Sequence, residues 1–417
     1  MTLARPPALV FAALLCASAL AGCLGGDEDP SAEERAIKGR VLTIYSSLPA
    51  EGPSAGVAEA VAAGQRQALA DAHDRAGRYR IRFVQLPSSK LGTGAWDPGQ
   101  VSENASRAAK DPRAIAYLGE LNLGGSAVSV PVTNDAGILQ VSPADGLTSL
   151  THRPPGRSAA GPERYYPSEH RTFLRLVPSD VGQAESIVGR LAALGLDRPA
   201  LVVGNGVYGR ELAGAVVAKA RAAGIEMVET KDLRDDPEGV RDLPRELAEV
   251  GPDAVILALA RDRGTAPLLA GLGAALPQAK LLTGSGVLVG QPLVAATATP
   301  SLSPLEAVAP DLPGGRQGAR ARRVLRRIAR RQDLDAARPE ALWGYESMRV
   351  ALDAIDAAQR DGALARRRDV VREALAPRVR HSPIGTYRVL PSGAVEGLPL
   401  ALYRLEGDRF EWLRTLQ

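Results

Sequence analysis

The sequence is poor in the side chains that most often carry catalysis or bind transition metals. It contains two cysteines and four histidines among 417 residues. No pair of histidines stands at a zinc-binding spacing such as H-x-x-x-H; the four are His73, His152, His170 and His381. A metal-dependent hydrolase is therefore not expected.

A serine nucleophile of the hydrolase type is also lacking. Ser285 stands between Gly284 and Gly286, but a nucleophile elbow needs glycines two residues away on each side. Those positions hold Thr283 and Val287 instead. Since no acyl-transfer triad can be assembled, we expect a protein that is not an enzyme and has no catalytic residues.

The chain has no overall excess of one charge. Its 51 basic and 47 acidic side chains leave a net charge of +4, so the composition does not favour nucleic-acid binding. One local exception is a run of arginines: Arg316, Arg320, Arg322, Arg323, Arg326, Arg327, Arg330 and Arg331. Val324, Leu325 and Ile328 at helical spacing predict a helix whose arginines face solvent, and contact with an anionic envelope surface is the alternative.

No apolar run reaches the roughly 20 residues that a membrane-spanning helix needs. The longest, at residues 8–20, follows Arg5 and ends in Leu20-Ala21-Gly22-Cys23. This pattern predicts a signal peptide over residues 1–22, and the four residues look like a bacterial lipobox whose cysteine carries lipid. We therefore expect Cys23 to anchor the chain outside the cytoplasmic membrane through a polar tether at residues 23–39.

Removal of the signal peptide would also remove Cys16, which leaves Cys23 as the one mature cysteine. An intramolecular disulfide or a thiolate metal site is then impossible.

The remainder, from about residue 40, is long enough for two domains. Short apolar runs alternate with longer alanine-rich helical stretches, the pattern of parallel sheets built from βαβ units. One series of predicted strands lies at 41–45, 80–85, 114–118 and 138–141, and a second at 200–204, 225–229, 254–259 and 280–283. The sequence thus predicts an α/β protein with two Rossmann-like lobes.

One motif has the form of a dinucleotide fingerprint. Gly204-Asn205-Gly206-Val207-Tyr208-Gly209 follows a predicted strand, opens a predicted helix and precedes Glu229 by about 20 residues. Nicotinamide and flavin cofactors are not expected outside the cytoplasm, and Tyr208 is bulky for that motif. We therefore expect no cofactor and interpret the motif as a tight turn; an exported dinucleotide-dependent oxidoreductase is the least favoured alternative.

Several short segments, taken in order, resemble one known family. They are Trp96-Asp97-Pro98 with Asn104-Ala105, Ala116-Tyr117-Leu118-Gly119-Glu120, Ala136-Gly137-Ile138-Leu139-Gln140-Val141-Ser142-Pro143, Phe173-Leu174-Arg175 with Pro178 and Asp180, Val207-Tyr208-Gly209, Gly344-Tyr345-Glu346, and Gly385-Thr386-Tyr387 with Gly393. Over residues 41–413 the chain resembles the type I periplasmic solute-binding proteins of ABC transporters, in particular branched-chain amino acid receptors of the actinobacterial lipoprotein type.

The resemblance implies two lobes joined by three crossovers. The first lobe would comprise residues 40–174 and 306–398, and the second 175–305 and 399–417. A small polar solute, amino-acid-like or related, would bind between the strand ends of both lobes and pass to a transporter permease. We expect a monomer, and a ligand-sensing receptor for an envelope signalling partner is the principal alternative.

Three positions depart from the amino-acid receptors. There, hydroxyls bind the carboxylate of the ligand and an acid on the second lobe binds its ammonium; the corresponding positions here are Leu123, Gly146 and Ser285. Because a buried ammonium without a counter-ion is costly, free aliphatic amino acids are not expected to bind well.

The candidate ligand-binding residues lie near the mapped strand ends. They are Ser46, Ser47, Glu120, Asn122, Gly124, Gly125, Ser126, Asp145, Tyr208, Arg261 and Ser285. Each has an alternative interpretation as an ordinary capping or loop residue. Tyr208 is the strongest candidate because it belongs to a matching segment.

Overall fold

The computed structural model describes residues 34, 36–90, 96–155, 161–233, 239–262, 264–288, 305–312, 318–407 and 409–416. The predicted signal peptide and Cys23 lie outside these residues. No helix in the described ranges is both long and apolar enough to span a bilayer.

The chain forms sixteen named strands and eleven α-helices in its described part. The strands are β1 (Val41–Leu48), β2 (Arg75–Ala76), β3 (Tyr79–Pro87), β4 (Ala114–Leu118), β5 (Leu139–Ser142), β6 (Phe173–Arg175), β7 (Pro199–Val203), β8 (Glu229–Asp232), β9 (Ala254–Ala258), β10 (Lys280–Thr283), β11 (Glu306–Pro310), β12 (Arg378–Ser382), β13 (Gly385–Val389), β14 (Val395–Glu396), β15 (Leu400–Glu406) and β16 (Arg409–Leu416). The helices are α1 (Ala55–Asp71), α2 (Pro98–Lys110), α3 (Ser126–Asp135), α4 (Asp180–Leu194), α5 (Val207–Ala222), α6 (Leu243–Val250), α7 (Thr265–Ala275), α8 (Ser285–Leu288), α9 (Ala319–Gln332), α10 (Ala341–Ala357) and α11 (Arg367–Leu375).

Two large sheets organise the molecule. The first has the order β2-β3-β1-β4-β5-β6 and the second β16-β15-β11-β10-β9-β7-β8, while β12, β13 and β14 form a small third sheet. All pairs from β3 to β6 are parallel, and so are those from β8 to β11. The central strands of both sheets are buried over most of their length, as expected where helices cover both faces of a parallel sheet, whereas β3 and β8 are more exposed.

Each sheet defines a lobe. The first lobe adds α1, α2 and α3, and the later helices α10 and α11 pack against its β4 and β5. The second lobe carries α4 to α8. The chain passes between the two sheets after β6, after β11 and before β15.

The closest helix crossing in the first lobe needs glycine on both helices. A Cβ at Gly64 of α1 would come within 1.8 Å of the Ala341 carbonyl oxygen, and one at Gly344 of α10 would come within 1.8 Å of the Val61 carbonyl oxygen. The Gly344-Tyr345-Glu346 segment is therefore explained by packing in this structure.

The strand pairing differs from the predicted lobe boundary at residue 306. β11 pairs with β10 and β15 in the second sheet, so the chain leaves that sheet after Pro310. The buried carboxylate of Glu306 reinforces this placement, because it accepts from Arg190 at 2.8 Å and pairs with Lys280 at 2.9 Å, and both partners belong to the second lobe. The other predicted lobe boundaries, at residues 174/175 and 398/399, stay predictions.

Candidate ligand-binding site

Loops from the two lobes meet at the carboxyl ends of their parallel strands. The loops after β4 and β5 belong to the first lobe, and residues 204–211 and 284–286 to the second; we call the junction between them the inter-lobe cleft. Leu123 packs against the core of the second lobe, and Val207 packs against the first-lobe residues Val130, Leu147 and Leu150. Open parallel sheets bind ligands at this end of their strands, so the cleft is the candidate site.

Two predicted residues, Ser47 and Glu120, are joined on the first-lobe side. The Glu120 carboxyl accepts hydrogen bonds from the Ser47 hydroxyl at 3.0 Å and the Tyr117 hydroxyl at 2.7 Å. The side chain is fully buried, and this burial raises the pKa of Glu120 to about 8. At neutral pH the group is therefore mainly protonated, which makes it a poor counter-ion for a cationic ligand.

Ser46 is held apart from this group. Its hydroxyl donates to Gln65 on α1 at 2.8 Å, as expected because successive strand residues face opposite sides of the sheet. Asn122, by contrast, has a buried side-chain oxygen with no hydrogen-bond partner among the described residues. Among the candidates, Asn122 and Ser285 thus each have a buried side-chain oxygen that is still available to a ligand.

Asp145 binds the protein's own backbone. Its two carboxylate oxygens accept from the amides of Gly124 at 3.0 Å and Ser126 at 2.9 Å, and one also accepts from Leu147 at 3.2 Å. The first two amides lie at the start of α3, where a helix offers unpaired N–H groups to an anion. The amides of Gly124 and Ser126 are therefore already bonded to Asp145, with Gly125 as the N-cap between them.

Tyr208 and Ser285 come together in the second lobe. The Tyr208 hydroxyl donates to Gln183 Oε1 at 3.4 Å and accepts from the Gly286 amide at 3.2 Å, and the Ser285 amide donates to the same Gln183 oxygen at 2.7 Å. Tyr208 is 1% exposed, so its ring belongs to the lobe core, and burial raises its pKa. Its backbone is what reaches the cleft: a Cβ on Gly124 would lie 3.5 Å from the Tyr208 amide nitrogen.

Arg261 joins the same group through its main chain. Its amide donates to the Gly286 carbonyl at 2.9 Å, which places residue 261 beside the loop after β10. Burial lowers the pKa of its guanidinium.

A buried charged cluster at the cleft, formed by Arg175, Asp180 and Glu211, was not predicted. Arg175 Nη1 donates to the Leu147 carbonyl at 3.2 Å, and Glu211 Oε2 accepts from the Ser149 amide at 3.1 Å. Burial raises the pKa of Asp180 well above its ordinary value, with Asp145 and Glu211 adding to the effect, and burial lowers the pKa of Arg175 to about 10. Arg175 and Asp180 belong to one of the segments that carry the family resemblance. No feature of the sequence, however, predicts that Glu211 lies close to them.

The first and third glycines of the dinucleotide-like motif are explained by packing, and the second is not. A Cβ at Gly204 would lie 2.7 Å from the Leu259 Cβ, and one at Gly209 would lie 2.6 Å from the Ala258 carbonyl oxygen. A Cβ at Gly206, the position that would let a backbone approach a pyrophosphate, meets nothing within 4 Å. The first and third glycines therefore allow α5 to pack against β9.

The three residues that differ from those of amino-acid receptors, Leu123, Gly146 and Ser285, lie in different environments. Leu123 fills space against the second lobe. At Gly146 no side chain fits, since a Cβ there would come within 2.5 Å of Asp180 Oδ1. Ser285 is buried beside Tyr208 and carries no charge.

The comparisons with known proteins agree with this geometry. A family model described as "Periplasmic binding protein" matches residues 44–392. The chain belongs to the periplasmic binding protein family. Among curated proteins, none matches the sequence significantly.

Solved structures of solute-binding proteins share the fold. An R. palustris solute binding protein in complex with benzoate has a TM-score of 0.69 at 17% identity, covering 90% of this chain and 96% of its own. A leucine binding protein from Thermotoga maritima has 0.71 at 16%, with 90% and 98% covered. A Desulfitobacterium hafniense substrate-binding protein in complex with Leu has 0.69 at 19%, with 90% and 100% covered.

These likenesses confirm the predicted type I fold of two α/β lobes for this periplasmic binding protein. The similar proteins are described as binding proteins and not as enzymes. In the described ranges, no three side chains of the metal-binding kinds come together.

Proposed function

We propose that this chain is the extracytoplasmic substrate-binding lipoprotein of an ABC-type importer, and that it captures a small polar solute between its two lobes. The observation that carries the proposal is the family match over residues 44–392 together with the facing loops at the strand ends. The named structures support it, because they are described as a solute binding protein, a leucine binding protein and a substrate-binding protein.

The remaining partners follow from the same proposal. A lipid on Cys23 would anchor the protein to the cell membrane, the transporter permease would receive the solute, and a single chain would suffice because both halves of the cleft come from one polypeptide. Neither a cofactor nor a nucleic acid is needed.

The solute itself is best found by extraction. Denaturing the purified protein and analysing the released small molecules by mass spectrometry should yield one enriched species, and that species should raise the melting temperature of the emptied protein. Deletion of the gene should then abolish cellular uptake of that solute. A chain that binds the solute while its deletion leaves uptake unchanged would be a sensor and not a transport protein.

We further propose that the solute is not a free aliphatic amino acid. Asp145 already accepts from the α3 amides, Leu123 and Gly146 supply no hydroxyl, and Ser285 supplies no counter-ion. Hydrogen bonds to a charged group contribute about 1.5–3 kcal/mol each, and about 1.4 kcal/mol changes affinity tenfold. Isothermal titration should therefore give leucine, isoleucine and valine dissociation constants no tighter than roughly millimolar.

Glu120 and Asp145 supply the decisive variants for that titration. Micromolar binding of an aliphatic amino acid, lost in Asp145→Ala or Glu120→Ala, would contradict the proposal and restore the amino-acid interpretation. The solute recovered by mass spectrometry serves as the positive control for a competent cleft.

A further inference from the structure

The arginine run forms a continuous basic face on the first lobe. Within α9 the side chains of Ala321, Val324 and Ile328 are buried, and α9 packs against α1 and α10. Between residues 320 and 331 every exposed position is an arginine: Arg320, Arg322, Arg323, Arg326, Arg327, Arg330 and Arg331. The helix contains no acidic residue.

Arginines at the inner edge of α9 are already engaged. Arg327 pairs with Asp71 of α1 at 2.7 Å, and Arg320 donates to the His381 carbonyl. Together with Arg323 they border a groove of about 400 Å³, in which Arg380 is neutralised by Glu346 at 2.9 Å and by Asp353 at 3.0 Å. The groove is therefore internally compensated and does not need an outside anion.

Arginines on the outer side are in a different position. Arg323, Arg326 and Arg330 are spaced three and four residues apart, so they lie on one side of the helix, and Arg323 stands where this side meets the groove. Within the described part of the chain, neither these three nor Arg331 forms an ion pair. Like charges at such spacings repel, and an external anionic surface would relieve that repulsion.

We propose that this outer face of α9 docks on anionic phospholipid headgroups. A helix of 14 residues presents a charged edge about 20 Å long, which is suited to a flat surface carrying many separate negative charges. A protein interface of comparable length would be expected to bury apolar or aromatic side chains, and the exposed positions between residues 320 and 331 hold none. Clusters of arginines beside a membrane are attracted to anionic lipids in this way.

The position of α9 allows it to reach the membrane to which a lipid on Cys23 would anchor the chain. This step rests on the proposed function, because it assumes that Cys23 carries a lipid. The chain enters the first lobe at Ala36, which forms a β-bridge with Arg366. The C-terminal end of α10 lies near this entry point. The N-terminal end of α10 packs against α9. The length of α10, with 17 residues, is about 25 Å. The segment from residue 23 to residue 37 can extend to about 45 Å, so it is long enough to let α9 reach the same membrane.

Vesicle binding tests the inference without the lipid. The chain from residue 23 onward, carrying Cys23→Ser, is mixed with vesicles of phosphatidylglycerol and phosphatidylcholine, or of phosphatidylcholine alone, and sedimented. The chain should bind the anionic vesicles only, and binding should fall steeply as salt rises. Arg323→Gln/Arg326→Gln/Arg330→Gln should weaken binding about 100-fold.

The matched control removes three exposed arginines from the second lobe, Arg198→Gln/Arg221→Gln/Arg245→Gln, and should bind as the parent chain does. Equal binding by the α9 variant and the control, or no preference for anionic vesicles, would overturn the inference. Binding of a soluble poly-glutamate peptide without binding to vesicles would also overturn it and would indicate an acidic protein partner. Because the assay uses no acyl chain and no solute, failure here leaves the solute-binding proposal untouched.

Discussion

At the scale of single residues, burial decides what the candidate acids can do. Glu120 was predicted as a ligand group, yet it is enclosed by Tyr117 and Ser47, and burial raises its pKa from 4.5 to about 8. Asp145 was predicted likewise, and its carboxylate is used by three backbone amides. A sequence shows that an acid follows a strand, but whether that acid faces a ligand or the protein's own backbone depends on loop conformation.

The raised pKa of Glu120 predicts a particular pH dependence. Between pH 4.5 and about 8 the folded state binds more protons at this site than the unfolded state, so the free energy of unfolding falls as pH rises through that window. Glu120→Gln cannot ionise and escapes this loss. Relative to the wild type, the variant should gain on the order of 3 kcal/mol in the free energy of unfolding between pH 5 and pH 8, measured by chemical unfolding.

Glu226→Gln, a change at an exposed acid, is the control and should keep the wild-type pH dependence. A constant difference between Glu120→Gln and the wild type across that range would show that the carboxyl at position 120 is ionised in the folded protein.

At the scale of elements, buried strands were predictable and edge or charged strands were not. The predicted strands at 114–118 and 280–283 agree with β4 and β10 because continuous apolar runs mark buried parallel strands. The strand predicted at 225–229 was misplaced: Ile225 belongs to the turn that closes α5, since its amide donates to the Ala220 carbonyl after Gly224 at a φ of +73°. β8 follows later as a polar edge strand.

β11 was missed for a related reason. Its five residues begin with Glu306, and a charged residue in so short a run hides the apolar pattern of a buried strand. In the structure, three basic side chains neutralise the Glu306 carboxylate. The cluster of Arg175, Asp180 and Glu211 was hidden in the same way, because contacts between distant segments leave no local periodicity. The fold class was therefore readable from the sequence, while the electrostatics of the cleft were not.

The turn from β7 into α5 gives a test of packing against cofactor binding. Gly209→Ala would place a methyl group 2.6 Å from the Ala258 carbonyl oxygen, whereas Gly206→Ala would meet nothing within 4 Å. We expect Gly209→Ala to lower the free energy of unfolding by about 2 kcal/mol or more, and Gly206→Ala to change it by less than about 1 kcal/mol. Thermal unfolding of both variants measures this; comparable losses, or protection of the wild type by a dinucleotide, would favour the oxidoreductase alternative.

At the scale of the whole molecule, the predicted lipid anchor determines where the receptor works. Cys23→Ser should move the protein from the membrane fraction to the soluble fraction when cells are fractionated in high salt, because salt screens the contact proposed for α9 and the polar tether cannot insert by itself. Metabolic labelling with a radioactive fatty acid should mark the wild type and not the variant. Absence of label from the wild type would refute lipidation, and the conservative change Cys16→Ser, within the predicted signal peptide, should leave both results unchanged.

In the described part of the chain, apolar and polar contacts join the two lobes across the cleft, and they indicate how the receptor should respond to its solute. Leu123 and Val207 provide apolar contact across the cleft, and Glu211 adds a hydrogen bond from Ser149 at 3.1 Å and an ion pair with Arg164 at 3.6 Å. Closure about hinges between two such lobes is the expected response to a bound ligand.

Small-angle scattering should therefore show a smaller radius of gyration when the solute is present. Glu211→Ala removes the contacts with Ser149 and Arg164 that cross the cleft, so the ligand-free variant should be more expanded than the wild type. Saturating solute should reduce the difference because its own contacts then contribute to closure. Glu185→Ala removes an acid of the same lobe that pairs with Lys219 at 3.0 Å within that lobe, and it should scatter as the wild type does. If the radius stays constant with solute and in both variants, the lobes form one rigid unit, and the chain would have to signal its ligand by some means other than hinge closure.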